Sequence, residues 1–507
     1  MRRFNIQSVT LQLSLLMICS LGGFYGSVLP LRADEDENPA LERLPETPRL
    51  QDGRLTANKT PNAENQGIQN QKIEGSATSA TNPLAAEAER LQSLPAARLE
   101  QLGIRILPGK HLNLVTDLAS AAAIDNLPHL FDQAVSQWAD YFDLPNQQWA
   151  NWKMTGYLMK DPELFRLTGL FPERELPRFQ NGFTRGNEFW MFNQQSDYYR
   201  RHLLLHEGVH GLMSAFFPTS SPPWHCEGMA ELLATHSWKN GQLRVAYFPR
   251  DKRDVPMLGR IRIVQNEVAA GRILPLEKIL SYGATAHREN TPYGWCWAAA
   301  AFLDGHPRYR DRFRQLNQKQ TGAGLNQALR EKFASDWHQL CDEWLVFVTR
   351  IEHGHDLVRS AIQYGEGKPL PSGSADVTIT ANRGWQSSGI RLQAGQAYRI
   401  LATGRYELQR EEDGTIWWCE PGGVTLHYLD GQPLGMLLGA VRPDRISPQG
   451  TSELSSPQPI GLGKMWTPQQ TGTLYLRIND RTRGLADNMG NLNVNISQSS
   501  EGIKAET

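Results

Sequence analysis

"RHLLLHEGVHGLM", residues 201–213, sets two histidines four positions apart around a glutamate. On a helix turning about 100° per residue, His206 and His210 stand about 40° apart and one turn along, so both imidazoles reach a single ion. Glu207 points about 60° to the side of His210, too far round to share the ligation. It is placed instead to hold a metal-bound water and take its proton. With 13 histidines in 507 residues, chance alone yields this pattern about 0.02 times in such a chain.

The chain beyond His210 sharpens the reading. After "FFPTSSPP", where Pro218 stops the first helix and Ser221-Pro222 cap and start another, comes "WHCEGMAELLATH". That return lets Glu227 reach the same ion, and two neutral imidazoles with one carboxylate are a catalytic zinc set with a fourth position for water. Glu231, one turn further, shares the face of Glu227 and is placed to accept the other ring N–H of a ligand histidine. Gly208, Gly211 and Gly228 each cost roughly 1 kcal/mol against alanine in a helix interior, which close helix approach would offset. The competing reading is an ordinary pair of helices. Around the set, His202 reads as solvated or capping, His225 as pointing away, Cys226 as buried or bridged, and Trp295 and Trp297 as core.

"HEGVH" followed by "EGMAE" resembles the gluzincin metallopeptidases, and more closely the peptidase-MA-like branch with "W..EG.AE" after the zinc helix. The resemblance covers about 180–310 well and 100–180 loosely. It implies a zinc peptidase in which His206, His210 and Glu227 are the ligands and Glu207 is the base. Gluzincins also use a downstream tyrosine or histidine as oxyanion donor, and "TPYGWCWAAAAFLDGHP" resembles the family helix with Tyr293 in that place. A half-buried structural aromatic is the other reading of Tyr293, and His287, Tyr198, Tyr199 and Arg201 are rivals for the role.

Around this centre the chain is of ordinary globular composition, 40% hydrophobic and 21% charged, with a formal net charge of −1. Nothing there supplies the basic field that nucleic-acid binding needs, so no nucleic-acid partner is expected. Arg2 and Arg3, an apolar stretch from Val9 to Leu21 and a following acidic segment form the layout of a secretory signal over 1–33, cut after Ala33. Thr10, Gln12, Ser14 and Ser20 make it a poor membrane span, with an uncleaved anchor as the other outcome. Ile18 disfavours lipidation of Cys19. A secreted, periplasmic or cell-surface protein is therefore expected. Residues 34–94, rich in Asn, Gln, Glu, Pro, Thr and Ala with scarcely a large apolar side chain between Leu55 and Leu84, read as a disordered spacer. Cys226, Cys296, Cys341 and Cys419 allow three pairings, and none is singled out.

From 95 to 365 the pattern is globular and helix-rich: "GIRIL", "HLNLVTD" and "NEFWMFNQ" look like strands, and "LPHLFDQAVSQWADYF" is an amphipathic helix. The Gly/Pro/Ser-rich "GEGKPLPSGS" then introduces period-two segments over 374–498, among them "DVTITA", "AYRILATG", "GVTLHYLDG", "GTLYLRIND" and "NLNVNIS", which predict a β-sandwich; 499–507 is a tail. The expected fold is thus an α+β zincin-like catalytic domain, mostly helical around the zinc site, followed by an all-β sandwich.

In "LYLRINDRTRGLADNMGNLNVNI", Asp480, Gly484, Asp487 and Asn488 offer carboxylate, carbonyl, carboxylate and amide oxygens to a hard cation such as calcium; a plain polar hairpin is the alternative. The segment resembles the calcium-dependent galactophilic lectins of bacteria, through "GWQSSGIRLQAGQAYRILATGR" and "GTLYLRIND....ADN.G.L.VNI". That resemblance implies an ion at Asp480, Gly484, Asp487 and Asn488 that holds sugar hydroxyls. The middle, "REEDGTIWWCEPGGVTLHYLDGQPLG", departs from the lectins where a further calcium ligand is supplied. The expectation is an exported zinc metallopeptidase acting on a peptide or protein substrate, with a sandwich that takes calcium or glycans. The alternative is a non-catalytic surface or glycan-binding protein on an idle zincin fold.

Overall fold

A computed structural model describes residues 96–217, 221–283, 289–319, 324–444 and 451–499, all within one compact unit. The signal segment, the spacer, Pro218, His287 and the tail beyond 499 lie outside the described residues. The architecture is mixed helix and sheet with a β-rich C-terminal region.

The first sheet runs in the order β1 (Arg105–Pro108), β2 (Leu112–Thr116), β3 (Met154–Met159), β5 (Glu188–Phe192) and β4 (Gly182–Arg185). Strands β2, β3 and β5 are parallel, and β1 and β4 flank them antiparallel. Helix α1 (Leu127–Phe142) makes the crossover from β2 to β3 and buries the stripe Leu127, Leu130, Phe131, Ala134, Val135, Trp138 and Phe142. It spans the stretch the apolar spacing predicts, and ends where Asp143 turns left-handed, φ 53°.

The motif lies on α2 (Asp197–Phe216), whose first turn is capped by the Ser196 hydroxyl accepting from the Tyr199 amide. Helix α3 (Pro223–Ala234) begins with proline in its first turn, where the missing N–H costs nothing. A hairpin of β6 (Ser237–Lys239) and β7 (Gln242–Arg244) follows. Helices α4 (Arg260–Ala269), α5 (Asn290–Gly305), α6 (Arg310–Lys319) and α7 (Trp337–Thr349) complete this part. Trp295 and Trp297 of α5 are in its core.

Two glycines show why the helices pack so closely. A Cβ on Gly208 would lie 2.4 Å from the Phe131 ring of α1, and one on Gly228 would lie 2.8 Å from the Cys296 carbonyl of α5. Only hydrogen fits at either crossing, which is the physical return on their poor helix propensity.

Beyond 374 two four-stranded antiparallel sheets enclose one apolar core. The first is ordered β17 (Gly463–Trp466), β10 (Tyr398–Thr403), β19 (Asn491–Gln498), β8 (Ser374–Thr380); the second is β16 (Gln458–Pro459), β15 (Leu437–Arg442), β18 (Gly472–Ile478), β9 (Gln386–Leu392). Ile379, Ile400, Val494 and Ile496 of one sheet meet Leu392, Leu437, Leu474 and Leu476 of the other. Small hairpins β11 (Tyr406–Arg410) with β12 (Ile416–Cys419), and β13 (Tyr428–Leu429) with β14 (Gln432–Pro433), lie outside the two sheets. "GVTLHYLDG" is thus mostly turn, with strand only at Tyr428–Leu429, correcting the longer strand its alternation predicts.

The change from helix to strand near 365–374 is not a break in packing. Val346 of α7 and Ile362 share a buried cluster with Trp385, Leu438, Ala440 and Tyr475 of the β-rich part. Arg442 of β15 is bonded to Asp342 of α7 at 2.7 Å. Among the described residues no helix is long and apolar enough to cross a membrane.

Candidate metal centre

Helices α2 and α3 pack against each other and bring three side chains to one point. His206 Nε2 and His210 Nε2 are 3.1 Å apart, and Glu227 Oε2 lies 3.5 Å from the first and 3.6 Å from the second. Ligand bonds of 2.0–2.1 Å in a tetrahedron put neighbouring donor atoms about 3.3 Å apart. The triangle therefore has the size of one face of a zinc tetrahedron. Glu227 Oε2 is buried and, at those distances, makes no hydrogen bond of ordinary geometry to either imidazole. Three electron-rich atoms converging this closely, one of them an orphan, fit a cation better than they fit one another.

Each flanking group has its own electrostatics. Burial raises the Glu227 carboxyl, but the charges of His210 and His206 outweigh it and hold the group below the usual carboxylate range. Glu207 is also buried, and there burial prevails over the two histidines and pushes its carboxyl up. The Thr184 hydroxyl of β4 lies 2.7 Å from Glu207 Oε2. A side chain on Gly182 of the same strand would collide with Glu207 Oε1, so β4 passes directly over the carboxylate.

Behind the triangle stands Glu231, almost wholly buried. It lies 3.3 Å from His206 Nδ1 and 3.2 Å from His202 Nε2, while Arg260 of α4 donates to both its oxygens at 2.8 and 2.7 Å. Burial raises the Glu231 carboxyl, and Arg260 and His202 overcome it, so the group lies well below its usual range. His202 is buried rather than solvated, which corrects the expectation for it.

Tyr293, in the first turn of α5, has its ring 6.1 Å from that of His206, and the Arg260 guanidinium lies 5.4 Å from the Tyr293 ring centre. The rivals lie differently. Tyr198 stacks on His236 at 4.5 Å and accepts from its amide, Tyr199 stacks on His202, and Arg201 donates to His236 Nε2. His225 turns to Asn317 Oδ1 of α6 at 2.9 Å, away from the triangle. Among the described residues Cys226, Cys296, Cys341 and Cys419 are free, Cys226 against the Ser221 carbonyl. Thr184 and Arg260 are the contributors that motif reading misses. Each sits far from the motif in sequence, and no local pattern marks either.

In the β-rich part, Asp480 and Asn488 are buried side by side. Asp480 Oδ2 accepts from Asn488 Nδ2 at 2.9 Å and Oδ1 from the Arg481 amide, while Asn488 Oδ1 has no partner among the described residues. Gly484 backs onto the Asp480 carboxylate, and Asp487 is exposed. The loop also holds the helical part: Thr482 Oγ1 donates to Glu352 at 2.9 Å, the Arg483 amide to the same oxygen, and Arg350 to the Asp480 carbonyl at 3.0 Å.

No family model and no curated protein matches the chain. Solved structures do match, 21 chains in all. One, described as the EclA N-terminal domain, a PllA-like lectin, is 22% identical; the match covers 25% of this chain and 98% of that one, with a TM-score of 0.19.

Proposed function

We propose that the protein is a zinc-dependent peptidase. The observation that carries this is the triangle of His206 Nε2, His210 Nε2 and Glu227 Oε2, with edges of 3.1, 3.5 and 3.6 Å and an orphaned carboxylate oxygen at one corner. A zinc ion held there would supply an acidified water and a Lewis acid for the scissile carbonyl. The residues around it divide the remaining work. Thr184 occupies Glu207 Oε2, which leaves Oε1 to take a proton and return it to the leaving amine. Tyr293, with its hydroxyl kept protonated by burial, donates to the oxyanion. Strand β4 ends its sheet among the described residues, so its outer edge offers backbone groups along which an extended peptide would lie over Glu207.

The test is zinc content together with digestion of a broad peptide library, wild type against Glu207→Gln. The variant is expected to keep zinc and lose at least 100-fold in rate, about the least a positioned general base contributes. Undiminished cleavage by Glu207→Gln would sink the mechanism. A Glu207 held by Thr184, in space that Gly182 leaves free, speaks against an idle, purely surface-binding protein.

For the β-rich part we propose calcium at the loop 480–488, supported by the unpartnered Asn488 Oδ1 beside the buried Asp480 carboxylate. Glycan binding through that ion has less support, because the segment 410–435 departs from the lectin pattern where a further calcium ligand is supplied.

A further inference from the structure

His202, His206 and Glu231 form a second group with the donor types and spacing of a metal triad, sharing His206 with the outer one. Donor chemistry alone does not separate the two groups. What separates them is Arg260. Its guanidinium lies 2.8 Å and 2.7 Å from the two Glu231 oxygens, and that carboxylate is 1% exposed. A divalent ion on Glu231 would sit beside a guanidinium that is mostly shielded from solvent and keeps its proton at any working pH. The like charges would repel without water to screen them.

We infer that Arg260 is a positioning residue for the metal centre: it fills the cation's place in the inner triad and commits Glu231 to His206 Nδ1. With Nδ1 as the donor toward Glu231, at 3.3 Å, the lone pair of His206 is on Nε2, the atom that faces His210 Nε2 and Glu227 Oε2. An imidazole fixed in tautomer and rotation by a carboxylate is a stronger ligand than a free one. Arg260 also lies against the Tyr293 ring, so one side chain from α4 supports a ligand on α2 and an aromatic on α5. A neutral residue at 260 would leave Glu231 with a buried charge and two histidines competing for it.

This inference rests on the zinc reading, and the experiment separates the two. Zinc affinity by competition with a chelator, and the visible spectrum of the cobalt-substituted protein, are measured for wild type, Arg260→Gln, Arg260→Lys and Arg314→Gln. Arg314 grips Asp304 in the same two-bond manner, at 2.7 and 3.0 Å, and Asp304 bonds to Tyr141 rather than to a metal-site histidine. It therefore controls for losing a two-bond arginine clamp on a buried carboxylate as such. Arg260→Gln is expected to bind zinc about 10- to 100-fold more weakly and to change the cobalt spectrum, as loss of an outer-shell partner does. Arg260→Lys, with charge but no fork, is expected to fall between, and it carries the test if the glutamine variant does not fold. Arg314→Gln is expected to keep wild-type affinity and spectrum. Wild-type affinity and spectrum in the Arg260 variants, or an equal loss in Arg314→Gln, would overturn the inference alone. A wild-type chain that takes no zinc would overturn the zinc reading and the inference together.

Discussion

His236 shows how far burial sets the chemistry of single residues in this protein. Its Nδ1 donates to the Ala234 carbonyl at 2.8 Å and its Nε2 accepts from Arg201, so both nitrogens are satisfied only when the ring is neutral. Burial pushes its pKa down to about 3, and that of His225 down to about 4. Unfolded, each would titrate near 6.5, so between that pH and the folded value the unfolded chain binds more protons. Stability therefore rises with pH across that window and falls as pH drops through it, by roughly 3 to 5 kcal/mol per residue once protonation is complete. Thermal melts from pH 7.5 down to pH 4.5 are expected to show a steady fall in Tm. Replacing His236 with Gln is expected to flatten the slope below pH 6.5, whatever it does to stability at pH 7.5. A slope identical to wild type would show that the group gives up its neutral state without cost.

At the scale of elements, the proposed zinc site depends on helices that cross at glycine. Gly208 stands between His206 and His210 in the motif, on the opposite side of α2, where Phe131 and Trp138 of α1 leave no room for a methyl group. Gly208→Ala gains about 1 kcal/mol in helix propensity, yet the added carbon must move two fully buried rings, which costs about 1 to 3 kcal/mol. The expected result is a Tm lowered by a few degrees, with weaker zinc retention as α2 is pushed off its support. A Tm equal to or above wild type would show that α1 backs away freely. The same crossing explains what was legible beforehand. The phase of His206, His210 and Glu227 follows from helical geometry, and the three glycines mark tight contact, so this part of the site could be read from one dimension. Strand β3 could not, because it is buried along its whole length and has no alternation to betray it. Thr184 and Arg260 reach the site across 23 and 29 residues of chain. Their roles come from the sheet edge and from α4, and neither carries a local signature. "GVTLHYLDG" errs the other way: its alternation is real, but the chain around Asp430-Gly431, both with positive φ, turns back after two paired residues.

At the scale of the molecule, the loop 480–488 ties the β-rich part to the helical part. It leaves β18 in one sheet and enters β19 in the other, and on the way it is bonded to Arg350 and Glu352 after α7. Beneath it, Arg477 is buried with its guanidinium carbon 5.0 Å from the Trp385 ring centre, and burial holds its pKa well below the usual arginine range. A buried Arg477 and a half-buried Arg350 near a buried Asp480 make the loop's charge count for both halves of the fold. A calcium ion ligated by Asp480 and Asn488 would therefore stabilise the joint as a whole. At 100 times its dissociation constant, such an ion adds about 2.7 kcal/mol by mass action, a Tm rise of several degrees that a chelator reverses. Asp480→Asn is expected to abolish the calcium response while leaving peptide cleavage intact, since the metal triangle is built on α2 and α3 alone. If calcium leaves the wild-type Tm unmoved at millimolar concentration, the loop is a joint made of protein contacts only, and the unpartnered Asn488 oxygen has some other cause.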